Sequence, residues 1–129
     1  MTEALLLAQR IDVIERGYEY LLAYAAQGRQ DDAGTELRDT LARMHEALTD
    51  MPGSLRAAFA GAPLPSGTRD FTDAVERDVL VARGAIGLAL GRESISSLLV
   101  DNLNASVHVR AMLTDLFLIE QALRSPARG

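Results

Sequence analysis

Apolar residues near the start of the chain recur in alternating steps of three and four, a rhythm that fits a helix and not a strand. Ala4, Leu7, Ile11, Ile14, Tyr18, Leu21 and Ala25 fall on one face of a helix expected over 3–27. A second row, Leu6, Val13 and Tyr20, follows at seven-residue spacing beside it. The combined face is wider than a two-stranded seam needs. Gly28 is a stop signal, and Asp31 or Asp32 a start signal for the next helix.

The same period continues through Leu37, Leu41, Met44, Leu48 and Met51, which predicts a helix over 35–51 ended by Pro52 and Gly53. "LRAAFAG" adds a turn or two, and "GAPLPSG" reads as the central loop. A third helix, 68–90, starts at Thr68 with Asp70 and Asp73 in its first turns, where acid suits the helix dipole. Phe71, Val75, Val79, Ala82, Ile86 and Ala89 mark its inner side. Gly91 and Ser94 then give a stop and a cap. A fourth helix, 94–124, would run roughly 45 Å to just before Pro126. The expected fold is all-α: one domain over 1–129, an antiparallel four-helix bundle with a Pro/Gly-containing central loop. A helical hairpin completed by dimerisation and an irregular five-helix domain are the alternatives.

Composition removes several functions. Cysteine is absent, so disulfides, thiolate chemistry and all-cysteine metal sites are excluded. Every one of the 13 Lys-or-Arg residues is arginine, which excludes a Schiff-base lysine and a Walker-A lysine. The net charge of −5 argues against nucleic acid and against an anionic membrane surface as partners. No apolar run approaches the ~20 residues of a membrane span, and the N-terminal stretch lacks the pattern of a signal peptide. The expected location is therefore the cytoplasm.

The chemistry-bearing residues concentrate in "VDNLNASVHVRAML". Written in sevens, Ile95, Asn102, Val109, Leu116 and Leu123 share one position, and Leu98, Ala105, Met112 and Ile119 its partner. Asn102 thus occupies a core position among aliphatics. It either fixes register and oligomeric state, contacts a ligand, or lies exposed at a bundle end. Asn104 stands one turn before His108, within hydrogen-bond reach. Asn102, Asn104 and His108 are the candidate ligand contacts. Neither His45 nor His108 has an acid three residues before it, so the inward Glu-x-x-His pairs of bundle metal sites are missing and no metal or other cofactor is expected. Ser94, Ser96, Ser97 and Ser106 lack a nucleophile-elbow context.

Gly84, Gly87 and Gly91 share one side of helix three and suggest close backbone approach by helix four, a second subunit or a ligand. Leu6, Val13, Tyr20 and Asn102 are the candidate interface residues. The reading that absorbs most of these features is a non-enzymatic, self-associating protein–protein interaction module, an adaptor or small chaperone. The alternative is a small-molecule-binding bundle with a pocket near Asn102, His108 and the glycine face. A small enzyme using His108 with a carboxylate such as Asp101 comes third. The rhythm of the first two helices resembles that of small acidic flagellar and secretion export chaperones, which implies a compact helical protein that holds a partner's helix.

Overall fold

The computed structural model describes residues 2–60, 64–106 and 108–125. They form five helices: α1 (Glu3–Ala25), α2 (Leu37–Ala60), α3 (Arg69–Leu90), α4 (Ser97–Ala105) and α5 (His108–Arg124). The fold is all-helical, with no strand among the described residues. No described helix is long and apolar enough to cross a membrane.

Neighbouring helices run antiparallel. Arg10 reaches Ser54 and Asp50 across the α1–α2 seam, while Gly17 meets Met44 midway along it. Arg56 faces Glu76, and His45 faces Gly87, between α2 and α3. α5 packs against both α3 and α1, which closes a ring around the core, and α4 lies against α1. The periodic positions of α2 and α3 are buried as their spacing predicts, Leu37, Leu41, Met44, Leu48 and Met51 on one, Val75, Val79, Ala82, Ile86 and Ala89 on the other, except that Phe71 in the first turn of α3 is 36% exposed.

Two expected boundaries are corrected. α2 does not end at "MPGS"; it continues through Pro52 to Ala60. A proline inside a helix costs about 3 kcal/mol through its missing N–H and its ring clash. Here the turns beyond it bury Ser54 and Leu55 and pack Phe59 on the core, and the buried Ser54 hydroxyl accepts a hydrogen bond from Arg10 (2.5 Å). Burial of side chains of this size offsets a penalty of that order.

The single helix expected over 94–124 is two helices. Ser106 Oγ donates to Leu103 O at 2.7 Å, and the Ser106 N–H donates to the same carbonyl at 3.3 Å. A serine hydroxyl that captures a carbonyl competes with helix continuation in this way. The break shifts the phase of the apolar stripe. In α4 the buried residues are Ser97, Val100 and Leu103; in α5 they are Val109, Met112, Leu113, Leu116 and Ile119. The heptad written across both therefore holds for Ile95 ahead of α4 and for Val109, Met112, Leu116 and Ile119, and fails within α4. Asn102 and Ala105 are exposed, and Leu98 is 69% exposed. Asn102 is not a core residue.

In α1 the buried face turns as its neighbours change. Leu7, Ile11 and Ile14 are followed by Gly17, Leu21 and Tyr24, so Tyr24 and not Ala25 completes the stripe, and Tyr18 is only half-buried. Gly17 is required by packing. A Cβ built there would overlap the Cγ and Sδ of Met44.

Candidate functional site

Most of the long-range polar contacts lie where the α1–α2 and α3–α4 loops meet. Gly28, at φ +66°, turns the chain out of α1 in a backbone conformation that suits glycine. Tyr24, fully buried, directs its hydroxyl at Ile95 O (2.6 Å) and Asp31 O (3.1 Å). Its phenol is pushed above the ordinary value, chiefly by burial. Ser97 Oγ donates to Tyr24 O (2.7 Å) and accepts from Arg29 N (2.8 Å). Asp32 accepts from Ile95 N on one oxygen (2.9 Å) and from Arg38 Nε on the other (2.8 Å). Arg38 also donates to the carbonyls of Leu90, the last residue of α3, which has no helical partner there, and of Arg92 and Glu93 in the loop beyond it. Burial raises the Asp32 carboxyl, but the Ile95 N–H and Arg38 outweigh it and hold the group below the ordinary value. Each strong donor and acceptor here has a partner within the chain, so this is a lock between loops.

The residues singled out from the sequence are dispersed. Leu6 and Tyr20 are half-buried, and Val13 is 37% exposed. Tyr20 stacks on Tyr24 at a centroid distance of 6.4 Å. Val13, Gly17 and Tyr20 border a hollow of about 340 Å³ along the α1–α2 seam, and a second of about 280 Å³ shares Val13 and Arg43 with it. Arg10, Arg16, Arg43, Glu36, Glu46 and Asp50 line the same groove, so its walls are largely charged.

Asn104 donates its Nδ2 to Leu21 O (3.2 Å) and thereby ties α4 to α1; its Oδ1 is buried and has no partner among the described residues. His108 is exposed at the start of α5 and receives no hydrogen bond from Asn104 among the described residues. Asn104 and Asp101 border a shallow cleft of about 310 Å³ with Tyr18 and Leu22; Asn102 and His108 do not line it. A larger open cleft, about 640 Å³, lies at the α2–α3 end, between Phe59, Leu64, Arg69, Glu76 and Ile119. Among the described residues no group of three or more His, Asp or Glu side chains could hold a metal ion.

The glycine face behaves differently from the expectation of close packing within the chain. A Cβ at Gly87 would make only ordinary contact with His45 (3.7 Å), and one at Gly91 would meet carbonyls of its own helix end. A Cβ at Gly84 would meet nothing within 4 Å. Gly84 is on the outer side of α3, with Leu80 (53% exposed), Val81 (44%) and Leu88 (66%) around it. Sequence reasoning marked the glycine and missed these three aliphatic residues. The inward positions Val75, Val79, Ala82, Ile86 and Ala89 already filled the α3 stripe, and that surplus was the available signal.

On the α5 side of α3, the Asp78 carboxyl lies near enough to Asp115 to act on its charge. Burial first, and then Asp78, raise the Asp115 carboxyl above its ordinary value.

Compared with protein-family models, with curated proteins and with solved structures, the chain gives no match.

Proposed function

We propose that this chain is a non-catalytic helical protein–protein interaction module that associates with itself, of the adaptor or small-chaperone kind, and acts in the cytoplasm. One observation carries the reading. The outer side of α3 turns Leu80, Val81 and Leu88 to solvent over little more than two helical turns. Scattered exposed aliphatics are ordinary, but a contiguous cluster marks a contact surface. α1, α2, α3 and α5 make an antiparallel four-helix frame with α4 added, and no helix of that frame covers this side.

The polar groups support the same reading. Tyr24, Asp32, Arg38 and Ser97 are engaged with one another or with backbone. His108 and Asn102 lie exposed and line none of the described clefts, and Asp101, also exposed, borders only the shallow cleft beside Tyr18 and Leu22. The α1 groove at Val13 and Tyr20 is the second candidate contact, and its charged walls suit a polar partner segment. The net charge of −5 favours protein over polyanion partners. Sedimentation velocity from about 1 to about 100 µM should show mass rising with concentration, as a micromolar association requires. A monomer across that range would refute self-association.

A further inference from the structure

We propose that the hollow of about 340 Å³ on the α1–α2 seam is a binding site for a small linear zwitterion, which sets its carboxylate at Arg43, its ammonium at Glu36 and a hydrogen bond on Thr40. The site goes beyond self-association and does not depend on it.

Thr40 is the exception among the threonines. It alone is buried, at 6% exposure. The hydroxyls of Thr2, Thr35, Thr49, Thr68, Thr72 and Thr114 each hydrogen-bond to backbone. Within helices, Thr49 and Thr114 donate to the carbonyl four residues earlier. Thr40 does not, and its hydroxyl has no partner among the described residues. Burying a hydroxyl in that condition is unfavourable unless something outside the chain completes it. Thr40 lines the hollow, where such a partner can reach it.

Charge is sorted along the hollow. The Glu36 carbonyl accepts the first helical bond of α2, from Thr40 N (2.9 Å), which sets Glu36 one turn before Thr40. Arg43 follows Thr40 by a little under one turn. Acid and base therefore stand at opposite ends, about 10 Å apart along α2, with the hydroxyl between them. α1 runs antiparallel, so Val13 lies at the Arg43 end and Tyr20 at the Glu36 end, and Gly17 between them brings no side chain. Neither Glu36 nor Arg43 makes an ion pair among the described residues. Arg16, the third charged group of the lining, is held by Asp12 at 2.9 Å. Glu46, one turn beyond Arg43, opens on the neighbouring hollow. A simple anion attracted by Arg43 is opposed by Glu36, and a simple cation meets the reverse. A molecule carrying both charges at the ends of a methylene chain suits both ends, its chain passing Gly17 and Val13 and its ammonium gaining from the Tyr20 ring.

The probe is 6-aminohexanoate, with hexanoate and hexylamine as controls that each lack one charge. Amide chemical-shift mapping should show saturable shifts at Val13, Tyr20, Thr40 and Arg43 at millimolar probe, with either control about tenfold weaker. Arg43→Gln should bind 6-aminohexanoate no better than hexylamine, and Glu36→Gln no better than hexanoate; both positions are exposed, so the fold is not at risk. Thr40→Val keeps the shape and removes the hydroxyl. Its thermal midpoint without probe should equal or exceed that of the wild type, while probe affinity falls about tenfold. Shifts that do not saturate, or that centre away from Thr40, would overturn the site. Equal binding of hexanoate or hexylamine would overturn the zwitterion. A Thr40→Val variant that melts lower and binds the probe unchanged would show the hydroxyl completed by water or by its own backbone, and would overturn its role. Each of these failures leaves the self-association reading standing.

Discussion

Replacing Asp32 by alanine removes both halves of one junction. Ile95 N loses the acceptor at 2.9 Å, and Arg38 loses its carboxylate at 2.8 Å. A donor left without a partner away from water costs about 1–3 kcal/mol, and a hydrogen bond to a charged group contributes about 1.5–3 kcal/mol. The second figure must be discounted, because the Arg38 side chain is 39% exposed and keeps its three carbonyl partners. The expected loss for Asp32→Ala is therefore about 3 kcal/mol at neutral pH, a fall in thermal midpoint of roughly 10 °C for a chain of this size. Asp32→Asn keeps a neutral acceptor for Ile95 N and should lose about half as much. The pH dependence supplies an independent check. The folded Asp32 carboxyl lies below its unfolded value of about 3.9, so its contribution is complete above that value and disappears as pH falls through the folded value. Urea melts of wild type and Asp32→Ala should thus differ by a constant amount between about pH 5 and 8, and the gap should narrow below about pH 4, where the protonated carboxyl keeps only a neutral acceptor for Ile95 N. A loss under about 1 kcal/mol, or a gap that persists unchanged into strong acid, would refute the account of the lock.

Asp115 has the opposite sign: its folded carboxyl titrates above the unfolded one, so the Asp78–Asp115 pair costs stability at neutral pH and relaxes as pH falls through the raised value. Asp115→Asn should be more stable than wild type at pH 7 by a few tenths of a kcal/mol, as suits a partly exposed pair. Denaturant melts should show that advantage shrinking in mild acid. Gly17→Ala gains helix propensity but drives a Cβ into Met44, and should lose about 1 kcal/mol net in thermal melts. Gly17→Ala/Met44→Ala should lose less than Met44→Ala and Gly17→Ala summed, since the clash is then gone. Asn102→Leu should change stability by less than about 0.5 kcal/mol, because Asn102 is exposed; a gain of 1–2 kcal/mol in the same melts would return it to a core.

The helices and most of the core were legible because burial imposes one period on a helix that keeps the same neighbours. α2 and α3 keep theirs, and their inward residues follow the spacing. α1 does not: its C-terminal half meets α4 through Leu21 and Tyr24, and the buried face turns away from the plain repeat. The break at Ser106 was illegible for a related reason. Two helices of different phase, read as one, still yield a plausible heptad, and Asn102 fell into it. Pro52 misled because its local cost is written in the sequence, while the burial of Ser54 and Leu55 that offsets it depends on residues far away. The α3 surface was half legible. Gly84 announced an open place on the helix; which side of α3 it occupied was decided by α2 and α5.

The loop lock also bears on the order of events in folding. Its bonds between the two loops join residues 52 to 73 positions apart, from Arg38 to Leu90 up to Tyr24 to Ser97. The α1–α2 and α2–α3 seams, by contrast, join helices consecutive in the chain. Closing a long loop must be compensated before its contacts form, so the hairpins are expected to assemble first and the lock to snap in after the barrier is crossed. Substitutions in the lock should then speed unfolding and leave the refolding rate nearly unchanged. The lock would act as a latch on the finished fold, setting how long the molecule stays closed more than how quickly it gets there.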